Sequence, residues 1–283
     1  MSDYGFGWKP PDDERKLKDF RYPFSLLNWT APEIVNSELA IPDLWDYYNQ
    51  GSTPRCVAFS SQFMSSIYAY NYHLSLGFTP AESLLLVVKY DTSWLWKAIG
   101  GTSQGAMIED SLDVLRKGDV IAGTTKQVLR EGIQNYVHIK NAEDLRVAAS
   151  NGSGGLLGTP WHEGWTDVKP NSEGIAILND NPKTWGRIVG YHAIDWSAWL
   201  DMYDGTRVNN SWGAAWNKGA KVIMTRKAID YMLAKERFMG CVVTDIPVEP
   251  LPPPPPPTEK DYIDIQGIRS TTGKHYSGRL TEV

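Results

Sequence analysis

The stretch that decides the fold is Asn49-Gln50-Gly51-Ser52-Thr53-Pro54-Arg55-Cys56-Val57-Ala58-Phe59-Ser60, which places a lone thiol where an amphipathic helix begins. Apolar residues then recur at mostly three- and four-residue steps, the period of a helix with one buried face: Val57, Phe59, Phe63, Ile67, Tyr70 and Leu74. Thr53 is expected to cap this helix and Pro54 to occupy its first position. Cys56 then falls in the first turn, where free amides and the helix dipole favour a thiolate. Cys56 is therefore the predicted nucleophile.

A lone cysteine is weak support for catalysis, because free cysteines are more often small buried hydrophobic residues. Two further motifs strengthen the prediction: Gly190-Tyr191-His192-Ala193-Ile194 and Val208-Asn209-Asn210-Ser211-Trp212-Gly213-Ala214-Ala215-Trp216. A third signal is Gln50, six residues before the cysteine across a Gly-Ser turn. Its side-chain amide is placed to fold back beside the sulfur and donate to an oxyanion.

The motifs together resemble those of papain-like cysteine peptidases, in the same order along the chain. His192 follows Cys56 by 136 residues, and a papain-type enzyme has ~130–150 residues between the two. The resemblance implies four catalytic roles: Gln50 as oxyanion donor, Cys56 as nucleophile, His192 as base and Asn210 as the residue that orients the imidazole. It also implies a substrate-binding cleft lined by Gly100, Gly101, Ala193 and Trp212. At a Gly-Gly pair no side chain keeps a substrate backbone away.

The predicted fold class is α+β, with a papain-like two-lobed arrangement. Helical periodicity prevails up to about residue 145, and short β-prone runs separated by turn signals follow from about residue 146. The helical lobe would supply the thiol, and an antiparallel, barrel-like β lobe would supply the base. An active-site cleft is therefore expected between the lobes.

Composition divides the chain into an N-terminal arm, 1–38, a peptidase domain, 39–248, a polyproline linker, 249–257, and a C-terminal tail, 258–283. Within the domain the helical lobe covers about 39–145 and the β lobe about 146–248. The arm contains Phe6-Gly7-Trp8-Lys9-Pro10, which is similar to the short segment at the start of bacterial and viral members of the resembled family. Two roles stay open for the arm: a short pro-segment that plugs the cleft, or a strap that covers hydrophobic surface.

Charge and cysteine content argue against several classes of partner and site. The formal net charge is −5 and no stripe of Lys and Arg occurs, so no nucleic acid and no membrane is predicted as partner. The two cysteines, Cys56 and Cys241, do not make a disulfide framework. The start shows no signal-peptide pattern, and no apolar run approaches the ~20 residues of a membrane span, so cytoplasmic synthesis is expected.

The remaining histidines do not predict a metal site. His73, His138 and His275 have no second His or Cys at metal-ligand spacing, so neither a metal nor another cofactor is predicted. His162 either lines the cleft or caps a strand. Cys241 is expected to be a buried strand residue.

The end of the chain has a different character. Six prolines, Pro252–Pro257, predict a stiff polyproline II spacer. The tail that follows is too short to build a core alone, although Tyr262-Ile263-Asp264-Ile265 alternates modestly. It is either disordered or docks to a partner, such as a virion or other assembly.

The function we predict is that of a cysteine endopeptidase acting on a protein or peptide substrate through a thiolate–imidazolium pair and an acyl-enzyme. One alternative is a catalytically silent papain-fold module that binds within a larger assembly. Another is a thiol hydrolase of a different amide, such as an isopeptide. All four catalytic residue types are present, which favours an enzyme. Arg55 and Val57 depart from the residues usual beside the family's thiol, so the family's specificity is not carried over.

Overall fold

The computed structural model of the protein divides the chain into two compact units, Met1–Asp245 and Ile246–Val283. It describes residues 5–11, 27, 29–40, 48–87, 92–116, 133, 135–213, 215–219, 221–244, 262–269 and 275–281. The polyproline linker predicted at 249–257 and the middle of the predicted arm, 12–26, lie outside the described residues.

The helices of the described ranges are α1 Cys56–Ser75, α2 Pro80–Leu86, α3 Thr92–Ala98, α4 Ile108–Arg116, α5 Ala142–Ser150 and α6 Arg226–Lys235. The central helix is α1, because separate hydrophobic clusters flank it. One cluster joins Val57 and Met64 to Leu95 of α3 and Leu112 of α4. The other comprises Tyr48, Phe59, Phe63, Ile67, Tyr70 and Val87. None of these helices is long and apolar enough to cross a membrane.

The described residues of the larger unit form one sheet. Its strands are β1 Asn36–Glu38, β2 Asn135–His138, β3 Gly155–His162, β4 Ile175–Ile177, β5 Ile188–Leu200, β6 Gly205–Asn209, β7 Lys221–Thr225 and β8 Met239–Thr244. They are hydrogen-bonded in the order β2-β8-β3-β5-β6-β7-β4, with β1 added to β5. Every pair is antiparallel except β4 with β7. Strand β5 is therefore central, and it packs against α1.

This arrangement confirms the predicted α+β fold class. The β-prone runs predicted after residue 146 lie in strands of this one sheet, β3 to β7. The lobes are not divided where the composition changes, however, because Asn135–His138 pairs with β8 and so belongs to the sheet. A strand of four residues is too short to show a two-residue period in the sequence.

The start of α1 also differs from the prediction. The helix begins at Cys56, with Arg55 as its N-cap and no side-chain capping hydrogen bond. Thr53 does not cap it, because the Thr53 hydroxyl instead donates to the Gln50 carbonyl oxygen at 2.6 Å and closes the turn before the helix. Cys56 is consequently the first helical residue, and its N–H is among those that no helical carbonyl accepts.

The smaller unit contains an antiparallel hairpin of β9 Tyr262–Arg269 and β10 His275–Thr281. The sequence left disorder as one of two alternatives for this tail. The structure instead has paired strands, and the predicted alternation at Tyr262-Ile263-Asp264-Ile265 lies in the first of them.

Candidate active site

Cys56 lies where α1 meets β5. Its side chain is fully buried, and its Sγ accepts a hydrogen bond from the backbone N–H of Ala193 at 3.4 Å. Ala193 follows His192 directly on β5, so the sheet brings the predicted base to the predicted nucleophile.

His192 and Asn210 are held together by the pairing of neighbouring strands. His192 Nε2 donates to Asn210 Oδ1 at 2.7 Å, and Asn210 follows the last residue of β6. Because this bond occupies Nε2, the other ring nitrogen is the one left for the thiol proton. His192 Nδ1 is buried and has no hydrogen-bond partner among the described residues.

Two tryptophans enclose the imidazole. Trp212 stacks on the His192 ring with centroids 4.8 Å apart and planes at 29°. Trp161 of β3 meets the same ring edge-on at 5.3 Å. Both indoles are buried, so they exclude water from the bond between His192 and Asn210. The sequence pointed to Trp212 but not to Trp161, which lies outside the three motifs.

Gln50 is fixed from the loop after β6. Its backbone N–H donates to the Ser211 carbonyl oxygen at 2.9 Å, and the Ser211 hydroxyl donates to Gln50 Oε1. This leaves Gln50 Nε2 to donate elsewhere, and it donates to the carbonyl oxygens of Thr53 at 2.7 Å and Gly5 at 3.1 Å. Ser211 therefore determines the orientation of the Gln50 amide. The sequence gives no signal for this role except that Ser211 lies between Asn210 and Trp212 in the motif.

The partner of Gln50 shows that the N-terminal arm lies in the site. The Gly5 carbonyl oxygen also accepts from Trp212 Nε1 at 3.4 Å. Further along, the N–H groups of Gly7 and Trp8 both donate to the Tyr191 carbonyl oxygen at 3.1 Å. The arm is thus bonded to Tyr191, which precedes His192, and to Trp212, two residues after Asn210.

On its other edge the arm pairs with the segment before α4. Ala106 N–H donates to the Gly7 carbonyl oxygen at 2.8 Å, and Lys9 N–H donates to the Ala106 carbonyl oxygen at 2.9 Å. Gly105 has a φ of +108°, and a Cβ there would overlap the backbone of Gly7. Gly105 and Ala106 therefore form the edge of the cleft against which an extended chain fits.

Gly100 and Gly101, the pair predicted to line the cleft, have a different role in this structure. Their N–H groups donate to the carbonyls of Lys97 and Trp96, which ends helix α3. Gly100 has a φ of +65°, as expected for a glycine that terminates a helix. The edge that pairs with the arm lies instead at Gly105 and Ala106.

The arm's side chains fill the remaining space. The Phe6 ring meets His192 edge-on at 5.8 Å and Trp212 edge-on at 5.7 Å. Trp8 is 3% exposed and lies where a Cβ on Gly158 would overlap its ring. The arm thus covers both the base and a recess beside it.

Burial of the site shifts the pKa values of both members of the pair. Burial raises the pKa of the Cys56 thiol to about 12, against the opposing hydrogen bonds from the backbone of Ala193 and Gly7. Burial also lowers the pKa of His192 to about 4, although the bond to Asn210 opposes this. With the arm in place, both groups are therefore neutral near pH 7. The thiolate expected from the helix start is not favoured while the site is covered.

His162, His138 and Cys241 of the larger unit contact other residues than this pair. His162 shares a hydrogen bond of 3.0 Å with Glu236 and packs between Trp165 and Trp185. His138 lines a cavity of about 310 Å³ next to Trp8, Pro10 and Pro11, and its Nδ1 lies 3.6 Å from Cys241 Sγ. Cys241 is buried in β8. The described residues contain no group of three or more His, Cys, Asp and Glu side chains that could hold a metal ion.

Comparisons by sequence find no matching protein-family model and no matching curated protein. Comparisons by structure do find similar proteins. One is xylellain, a cysteine protease from Xylella fastidiosa, with a TM-score of 0.61 and 16% identity over 87% of this chain and 97% of that one. Another is the digestive procathepsin L2 proteinase from the larval midgut of Tenebrio molitor, with a TM-score of 0.59 and 14% identity over 86% and 78%. A third is the bromelain protease from Ananas comosus in complex with the E64 inhibitor, with a TM-score of 0.51 and 12% identity over 76% and 99%.

Proposed function

We propose that this chain, which has the fold of papain-like cysteine proteases, is itself a cysteine endopeptidase that cleaves protein or peptide substrates. The observation that carries the proposal is the contact between the start of α1 and β5. It places the Cys56 thiol against Ala193, next to a histidine whose far nitrogen is bonded to Asn210 at 2.7 Å. A silent binding module would have no need of this set of residue types in one place.

In the proposed mechanism, the Cys56 thiol passes its proton to His192 Nδ1, and the sulfur attacks the substrate carbonyl carbon. The Cys56 N–H and Gln50 Nε2 donate to the resulting oxyanion. His192 returns the proton to the leaving amine as the peptide C–N bond breaks, which leaves a thioester on Cys56. His192 then takes a proton from water, the hydroxide releases the acid product, and the proton returns to the sulfur.

Asn210 acts through His192 in this scheme. It orients the ring by accepting from Nε2 and adds no charge, as a carboxylate would in a serine triad. Hydrolysis of a mixture of unstructured peptides by the Gly7→Ala protein, whose N-terminal arm is expected to leave the cleft, tests the proposal, with the same protein carrying Cys56→Ala as the matched control. Loss of hydrolysis in a folded Cys56→Ala protein supports the assignment, and retention overturns it.

The arm is the proposed inhibitor of this activity. Gly5 occupies the amide of Gln50, Phe6 lies against His192, and Gly7 to Lys9 pair with Ala106. A substrate needs the same three groups. The arm must therefore leave before a substrate binds, and its departure returns Cys56 and His192 to water, where the ion pair is less costly.

The C-terminal unit is proposed to attach the enzyme to a partner. A hairpin of two strands is marginally stable alone, and β9 and β10 follow a run of six prolines that suits a spacer. Removal of residues 249–283 is expected to leave peptide hydrolysis unchanged and to abolish retention of the chain by its assembly.

A further inference from the structure

Asp195 is a buried acidic residue of the described part of the chain to which the mechanism gives no role. It lies three residues after His192 on β5 and is the register partner of Asn209, the neighbour of Asn210. The Asp195 side chain is 1% exposed, and its Oδ2 accepts from Asn209 Nδ2 at 2.6 Å. The two strands that carry the proposed base and its orienting residue are therefore also joined by a second pair of side chains.

A polar layer surrounds this pair. Asn209 Nδ2 also donates to Ser197 Oγ at 3.0 Å, and Ser197 Oγ accepts from the guanidinium of Arg207 at 2.8 Å. Arg207 in turn forms an ion pair with Glu38 of β1. The positive charge nearest to Asp195 in this layer is thus paired with another carboxylate, and Ser197 lies between them.

The remaining neighbour that titrates is Tyr48, which interacts electrostatically with Asp195. Its hydroxyl shares a hydrogen bond of 2.9 Å with Ser66 of α1, and burial raises the pKa of Tyr48 to about 12. Tyr48 is therefore neutral over the physiological range. Among the described residues, a carboxylate at Asp195 would have no cation of its own.

The hydrogen-bond count points to a proton on the pair. Asp195 Oδ1 and Asn209 Oδ1 are both buried, and neither has a partner among the described residues. Two acceptors that face no donor are costly, but a protonated carboxyl converts one of them into a donor. Burial raises the pKa of Asp195 well above its usual range, while the bonds from Asn209 and from the backbone of Asp195 itself only partly oppose this.

We propose that Asp195 and Asn209 form a neutral carboxylic acid–amide clamp that positions His192 and Asn210. Asp195 is thus a positioning residue that never touches substrate. The clamp itself concerns only the structure of the folded chain, whereas its expected effect on turnover rests on the proposed peptidase function.

The dependence of stability on pH tests the clamp without any catalysis. The folded chain keeps a proton on Asp195 that the unfolded chain releases above pH ~4. Stability is therefore lost as pH rises from ~4 towards the folded pKa of this residue. Asp195→Asn keeps the shape of the side chain and removes the carboxyl group whose proton uptake depends on folding. Its melting temperature is expected to exceed that of the original full chain at pH 8 and to equal it near pH 4. A variant that melts lower at pH 8, or by a constant difference at all pH values, overturns the clamp.

Kinetics of the full chain carrying Gly7→Ala test the positioning, because the new Cβ would overlap the Pro54 carbonyl oxygen and is expected to displace the arm from the cleft. Asp195→Asn is expected to keep kcat within ~3-fold, whereas Asp195→Leu lowers kcat ~10-fold or more with KM nearly unchanged. Asn209→Leu is the second variant if Asp195→Leu does not fold, and Ser197→Ala controls for disturbance of the polar layer. An unchanged kcat in a folded Leu variant overturns positioning. If the Gly7→Ala chain and all variants made in it are inactive, the peptidase proposal fails while the melting comparison still decides the clamp.

Discussion

The side-chain amide of Gln50 donates to the carbonyl oxygen of Gly5 at 3.1 Å. The group proposed to stabilise the oxyanion is therefore engaged by the chain's own arm. Because the Ser211 hydroxyl holds Gln50 Oε1, the amide is oriented before any substrate arrives. The arm consequently binds a donor, Gln50 Nε2, that is already oriented for its proposed role in catalysis.

Release of the arm is expected to follow from a single added methyl group. In Gly7→Ala the new Cβ would overlap the Pro54 carbonyl oxygen, which is backbone and not free to move. Overpacking of this kind costs ~1–3 kcal/mol, and that shifts the arm's equilibrium by ~5–150-fold. The rate of alkylation of Cys56 by an epoxide-type thiol inhibitor should rise accordingly.

A matched control for the arm is Lys9→Ala. This change removes only the exposed bond from Lys9 Nζ to Thr102 Oγ1 and should leave the alkylation rate nearly unchanged. A strap without inhibitory effect predicts a different pattern, in which Gly7→Ala lowers the melting temperature and alkylation stays slow. That pattern in a folded protein would show that the arm does not inhibit.

Gln50 and Ser211 should differ in the size of their effect. Gln50→Ala removes a donor to the oxyanion and is expected to lower kcat by ~10²–10³-fold. Ser211→Ala only loosens the amide, so the loss should be smaller, with KM little changed in both variants. Steady-state kinetics of the two changes, each made in the Gly7→Ala protein so that the cleft is open, check this. Equal losses would mean that Ser211 acts directly on the substrate.

The base and the residue that orients it form another graded pair. His192→Ala removes general acid–base catalysis and is expected to lower kcat by ~10²–10⁴-fold. Asn210→Ala leaves the ring present but releases the bond at 2.7 Å, so turnover should fall less. If the Asn210 variant is the more impaired of two folded proteins, the roles assigned here are reversed.

The corrected edge of the cleft gives a comparison of two glycines. Both have positive φ, +108° for Gly105 and +65° for Gly100, so alanine strains the backbone at either position. Only at Gly105 would the new Cβ also overlap the segment that pairs with this edge, which in this structure is Gly7 of the arm. Gly105→Ala should therefore raise KM, whereas Gly100→Ala should lower the melting temperature and leave KM unchanged. A raised KM in Gly100→Ala alone would restore the original prediction.

Much of the site could be predicted from the sequence because its residues lie in short motifs with a known separation. Cys56, His192 and Asn210 lie together because α1 packs on β5 and β5 pairs with β6, and each of these elements has a clear local signal. The predicted helix start, Pro54, is two residues before the observed one, Cys56. The reason is that the Thr53 hydroxyl donates to the Gln50 carbonyl oxygen in the turn before the helix and does not cap the helix.

What could not be predicted depends on pairing between distant parts of the chain. The edge at Gly105 and Ala106 is recognisable only when Gly7 and Lys9 lie beside it. The pairing of Asp195 with Asn209 likewise depends on strand register, which places the two residues opposite each other. Neither relationship leaves a periodic or compositional signal in the sequence.

The most direct test of the central claim is peptide hydrolysis by the Gly7→Ala protein, in which the cleft is expected to be open. The same protein with Cys56→Ala is the comparison, because alanine is a good helix former and the helix start should survive the change. We predict hydrolysis by the first protein and only the rate without enzyme in the second. Equal hydrolysis by the two folded proteins would contradict the assignment of Cys56 as the nucleophile.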